Sequence, residues 1–149
     1  MTDDPLYRRA LLRLAADASG AGHLPRPDGV GSAHNPACGD RLTVEITLAD
    51  GRITALAHDT QACILTQASA ALLAQAAAGQ DRAGLERLSA GLRTMLTGGP
   101  PPASGYDAFD GVAAHAGRHI CVLLPVEAAL KALEDAEESR IRAQGQAAS

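Results

Sequence analysis

The sequence contains no tryptophan, one phenylalanine and two tyrosines in 149 residues. Aromatic side chains therefore cannot supply the large buried surfaces they give many cores, and Leu, Val and Ile must do the packing. No apolar run approaches the ~20 residues of a membrane-spanning helix. No basic stretch is interleaved with aromatics, and 13 Lys plus Arg stand against 17 Asp plus Glu, a formal net charge of −4. Both features argue against nucleic acid as a partner. The opening MTDDPLYRR is acidic and then basic, without the apolar core of a signal peptide, so a cytoplasmic location is expected. Cysteine is scarce, with three residues, an odd count that cannot pair off completely. Reduced thiols are the simplest reading. There is no CxxC pair and no internal repeat.

What is abundant is alanine, at 32 of 149 positions, so the 46% hydrophobic content overstates the bulk available to a core. The length suits one domain, able to bury roughly two-thirds of its unfolded surface. Residues 1–137 are read as that domain and 138–149 as a frayed C-terminal tail.

Residues 5–18 carry apolar side chains at helical spacing, with Pro5 suited to a first turn. Gly20, Gly22, Pro25 and Pro27 then break the chain, and 28–37 reads as irregular or short and extended. From Arg41 to Ala49, Leu42, Val44, Ile46 and Leu48 alternate with Thr43, Glu45 and Thr47, the pattern of a strand with one wet face. Asp50-Gly51 signals a hairpin, and 52–59 is the return strand. After Cys63, small and apolar residues recur at helical spacing as far as Gly79. A second helix is predicted over 81–97, with Leu85, Leu88, Leu92 and Leu96 as its buried stripe. GGPPPASG interrupts regular structure, and 106–117 holds a short helix or turn. A last helix runs from about Arg118 to Arg142, where Pro125 either kinks it or marks its first regular turn. The fold class is α+β, with a small antiparallel sheet of two to three strands.

Cys38, Cys63 and Cys121 each sit at the edge of a predicted element, where side chains converge without burying loose backbone. Cys63, at a helix N-terminus, feels the positive end of the helix dipole, which favours its thiolate. Cys38-Gly39-Asp40 adds a carboxylate two residues from a thiol, and Gly39 allows a turn tight enough for both to face one ion. Three thiolates and one carboxylate form a tetrahedral set suited to zinc, or to iron in a cluster. Oxygen is the poorer ligand for a soft metal, so this set should be more labile than four thiolates. The competing reading is that the cysteines are small buried hydrophobes. His34, His58 and His115 are read as surface or hydrogen-bonded histidines.

His34-Asn35-Pro36-Ala37-Cys38-Gly39-Asp40, leading into an alternating strand, resembles the NPxCGD segment of the U-type iron–sulfur assembly proteins: IscU, SufU and the N-terminal domain of NifU. Gln61-Ala62-Cys63-Ile64-Leu65-Thr66-Gln67-Ala68-Ser69 resembles the family's G-C-x-I-x-x-A-S helix start. Arg118-His119-Ile120-Cys121-Val122-Leu123-Leu124-Pro125 resembles its R-x-x-C-x-x-L-P stretch, and LYRRALLRLA its first helix. The matches run in order over about residues 5–137. The resemblance implies helices packed on one face of the sheet, and carries Cys38, Asp40, Cys63 and Cys121 over as ligands of zinc or of a transient 2Fe-2S cluster. It implies a SufS-like cysteine desulfurase as sulfur donor and apo iron–sulfur proteins or carriers as recipients.

The departures point within the family. Ile120 stands where the IscU branch has a histidine, and His119 lies one residue earlier. AHAGR replaces the LPPVK segment, and Ala62 a common glycine. The 57 residues at positions 64–120, which include GGPPPASGYDAFDGV, resemble the SufU branch, whose members hold zinc and accept persulfide sulfur. His119 reads as a neighbour of a ligand or a replacement ligand. Arg118 reads as a solvated charge or a cation steadying the thiolates. Cys121, after a Gly/Pro-rich segment able to swing and with Arg118 and His119 to lower its pKa, is the expected persulfide acceptor. The competing functions are a structural zinc module, or a desulfurase regulator without transfer chemistry.

Overall fold

The computed structural model describes residues 9–37 and 39–147, with the side chains of the last helix as far as Gly145. The expected helix start at Pro5 lies outside the described residues. Helix α1 spans Arg9–Ala16, and strands β1 (Gly29–Asn35), β2 (Asp40–Ala49) and β3 (Arg52–Gln61) follow. Helix α2 spans Ile64–Ala76, α3 spans Arg82–Leu96, and α4 spans His119–Ala147. Two short 3₁₀ helices, Tyr106–Ala114 and Ala116–Arg118, precede α4.

The sheet is antiparallel throughout, in the order β1-β2-β3. Its best-defined hairpin turns at Asp50 (φ 54°) and Gly51 (φ 77°). Positive φ at both central residues is the type I′ turn, whose twist matches that of the flanking strands. Leu42, Val44 and Ile46 are buried, as their alternation predicts. They meet Ala70, Leu73, Leu124, Ala128, Ala129 and Leu133 of α2 and α4 in one core cluster. A second cluster joins α1, α2, α3, the longer 3₁₀ helix and the start of α4 around Leu11, Leu65, Leu92, Tyr106, Phe109 and Val122. Helices thus pack on one face of a three-stranded sheet, an α+β arrangement. The opposite face carries hydroxyl pairs, Ser32–Thr43 at 2.9 Å and Thr47–Thr54 at 2.7 Å. No described helix is long and apolar enough to cross a membrane.

Residues 28–37, irregular or short and extended by sequence, contain the seven-residue strand β1. Its glycines explain the weak signal. A Cβ on Gly31 would collide with the Ala128 carbonyl oxygen and the Ala132 nitrogen, and one on Gly29 with the Ala132 carbonyl oxygen. Helix α4 lies so close to β1 that only glycine fits beneath it, at the expense of strand propensity. The last helix also outruns its predicted end near Arg142 and continues to Ala147. The added segment is rich in Ala and Gln, which favour helix, and Gly145 alone opposes it.

Candidate metal centre

Three elements deliver one donor each. Asp40 opens β2 and is buried. Cys63 is the N-cap of α2, in extended conformation (φ −65°, ψ 169°). Cys121 lies in the first turn of α4 and is 1% exposed. A carboxylate oxygen of Asp40 and the sulfurs of Cys63 and Cys121 lie within 4.8 Å of one another. Cys38 lies outside the described residues. Its chain neighbours Ala37 and Gly39 belong to the tight turn joining β1 to β2, where Gly39 has φ +74° and its N–H donates to the Asn35 carbonyl at 2.9 Å.

Hydrogen bonds fix the group. Asp40 Oδ1 accepts from the Cys63 N–H at 3.1 Å, one of the unpaired donors of the α2 N-terminus. Asp40 Oδ2 accepts from the Thr66 hydroxyl at 3.1 Å. The same hydroxyl lies 3.0 Å from the Cys121 carbonyl and 3.6 Å from Cys63 Sγ. One turn further along α2, the Ser69 hydroxyl donates to the Val122 carbonyl at 2.6 Å. Pro125 sits inside α4, and a proline has no N–H for the carbonyl four residues before it. That carbonyl belongs to Cys121, so Thr66 serves an acceptor that the helix leaves open. Thr66 does not stand out in the sequence as a site residue, and Ser69 does so only as the last residue of the helix-start motif. Two hydroxyls three apart on one helix face, and a proline four after a cysteine, are the signals that mark them.

The two sulfurs act as a pair. Interaction with the neighbouring Cys121 thiol holds the Cys63 thiol down at about 6, with Thr66 assisting and burial and Asp40 opposing. Cys121 is pushed up by the same interaction, by burial and by the charges of Cys63 and Asp40, while Arg118 pulls it down. The expectation that Arg118 and His119 leave Cys121 with a lowered pKa is therefore reversed. Arg118 acts in the expected sense and is outweighed. Its Nε is buried with no hydrogen-bond partner among the described residues. His119 is absent from the convergent group, and its Nε2 pairs with the Ala113 carbonyl at 3.0 Å. His34 and His115 are exposed. His58 is buried between Thr60 Oγ1 and the Ser19 carbonyl.

The donor set fits a thiophilic first-row metal. Ligand atoms at ~2.0–2.3 Å from one tetrahedral ion lie roughly 3.5–4 Å apart, so a group within 4.8 Å needs to close by about 1.3 Å at most. Two sulfurs and a single oxygen select zinc or iron over calcium or magnesium, which take oxygen ligands.

A small α+β domain with two cysteines and an aspartate gathered at one end of its sheet is the class these features define. The profile described as NifU-like N terminal domain matches residues 6–97, and the chain belongs to that family. It is similar to the crystal structure of a nitrogen-fixing NifU-like protein (N-terminal) from Brucella abortus. The two are 30% identical, with 91% of this chain and 96% of that one covered and a TM-score of 0.84. It shares its fold with a candidate iron–sulfur cluster assembly scaffold protein for the SUF system from the thermophile Fervidobacterium islandicum. There the identity is 18%, 89% of this chain and 99% of that one are covered, and the TM-score is 0.80. No curated protein matches the sequence.

Proposed function

We propose that this chain is an iron–sulfur cluster assembly protein of the cytoplasm, which receives persulfide sulfur from a cysteine desulfurase at a metal site of Asp40, Cys63, Cys121 and Cys38. The observation that carries the reading is the convergence of Asp40, Cys63 and Cys121 from three separate elements, in a chain of the NifU-like family. A zinc ion held there would neutralise the crowded anions and keep the thiolates deprotonated. A 2Fe-2S cluster built there is cargo, bound for apo iron–sulfur proteins or carriers. Residues 1–137 form the working domain.

Cys121 is the proposed acceptor, because its turn lies ahead of Pro125, where the helix ladder is interrupted. In the zinc-loaded chain Cys121 would already be a thiolate, with no proton to lose first. The Cys121 thiolate then attacks the terminal sulfur of the desulfurase persulfide. The S–S bond to the desulfurase cysteine breaks, that cysteine leaves as thiolate, and Cys121 keeps the sulfur as its own persulfide. Arg118 supplies positive charge beside it, and Asp40 remains the easily exchanged ligand. A second acceptor is favoured by one observation: Cys63 is only half-buried and has the lower pKa. The burial of Cys121 favours a different function, a structural zinc module or desulfurase regulator without transfer.

The test is desulfurase turnover with the zinc-loaded chain, with persulfide located by mass spectrometry in wild type, Cys121→Ser and Cys63→Ser. Persulfide on wild type, lost in Cys121→Ser, is expected. Wild-type loading in Cys121→Ser moves the role to Cys63 or Cys38. No persulfide on any variant leaves the structural or regulatory function. Acid-labile sulfide after anaerobic purification would support use as a scaffold.

A further inference from the structure

Thr66 touches every member of the described donor group. Its hydroxyl lies 3.1 Å from Asp40 Oδ2, 3.0 Å from the Cys121 carbonyl and 3.6 Å from Cys63 Sγ, and the residue is fully buried. A hydroxyl carries a single proton and here faces two acceptor oxygens and a sulfur that can accept or donate. Both oxygens belong to ligand residues. Asp40 is tied to the Cys63 N–H, and the Cys121 carbonyl loses its helical donor to Pro125. We infer that Thr66 is the positioning residue of the metal site, its one hydroxyl setting both the carboxylate orientation of Asp40 and the placement of the Cys121 turn.

This inference rests on the metal-site reading above. Its physical content is a shared donor. Without that hydroxyl the Asp40 carboxylate loses its Oδ2 anchor, and the Cys121 carbonyl has neither its helical nor its side-chain partner. Groups that orient ligands typically change metal affinity by about 10–100-fold when removed. Ser69 provides an internal comparison. It ties the same start of α4 to the same face of α2 through Val122, but its bond goes to a residue outside the donor group. A role confined to helix packing predicts equal effects at 66 and 69. A positioning role predicts an effect on the metal at 66 alone.

The experiment is cobalt(II) titration of the full chain, read by ligand-field and thiolate-to-cobalt charge-transfer absorption, with thermal unfolding of each metal-free sample as a control. Thr66→Val keeps the shape and removes the hydroxyl. It is expected to weaken cobalt binding by about 10–100-fold and to shift the ligand-field bands. Thr66→Ser is expected to restore both affinity and spectrum. Ser69→Ala is expected to lower the unfolding midpoint while leaving the cobalt spectrum and affinity at the wild-type values. If Thr66→Val does not fold, Thr66→Ala against Thr66→Ser makes the same comparison. Wild-type affinity and spectrum in the hydroxyl-free variant, or an equal change in Ser69→Ala, overturns the inference. Cobalt uptake that survives unchanged in both Cys63→Ser and Cys121→Ser defeats the metal-site reading itself, and the inference with it.

Discussion

The sulfurs of Cys63 and Cys121 lie within 4.8 Å of each other, and their interaction splits two chemically identical groups, lowering Cys63 to about 6 and raising Cys121. In protein stripped of metal by a chelator, alkylation by iodoacetamide should therefore strike Cys63 with a half-maximal rate near pH 6. Replacing Cys121 by Ala removes the largest cause, so the midpoint should rise toward the ordinary thiol value of about 8.5. Peptide mapping after a pH series measures both, and a midpoint unmoved by Cys121→Ala would contradict the pairing. The donor residues themselves are legible in the sequence, since cysteines are few and Cys38-Gly39-Asp40 is a compact local string. Which sulfur holds the proton is not. It depends on a contact between residues 58 positions apart, at 63 and 121, and on the burial of one of them. Thr66 is hidden for the same reason: its partner carbonyl becomes available only because a proline four residues further on leaves it open.

At the scale of elements, the Gly-Ala contact between β1 and α4 sets the geometry. Gly31→Ala should destabilise the domain by about 1–3 kcal/mol or more, because the colliding atoms are helix backbone, which cannot turn aside as a side chain can. Gly145→Ala, in the same helix with nothing near its added methyl, should be neutral or stabilise by roughly 0.5–1 kcal/mol. Urea unfolding of both variants checks the pair, and equal effects would refute a packing origin. The alternating strand β2, the Asp50-Gly51 turn and the leucine stripe of α3 are all legible in advance, since each expresses its environment through local period or local backbone preference. The glycine-bearing strand β1 is not. Its residues answer to the helix above them rather than to the strand they form.

The whole molecule is held by two apolar clusters that share α2 and α4. Ion pairs such as Arg82–Glu137 at 2.8 Å lie at the surface, and pairs of that kind contribute little. Metal would add a cross-link among β2, α2 and α4. A ligand at about 1,000 times its Kd adds on the order of 4 kcal/mol to the folded state. A chain of this size gains roughly 2–4 °C per kcal/mol, so zinc should raise the unfolding midpoint by on the order of 10 °C. Thermal scans with zinc and with a strong chelator measure it; coincident midpoints would count against a shared site. The glycines beneath α4 carry one more consequence. A helix resting on bare backbone has no compliant side chains between it and the strand, so it cannot slide or roll without driving carbonyl oxygens into the strand. Helix α4 is a fixed rail, and freedom at its cysteine end is confined to the short stretch ahead of Pro125. On the proposed reading, presenting the Cys121 thiol to a partner would be a local swivel of about one turn of chain, carried out while the rest of the domain stands still.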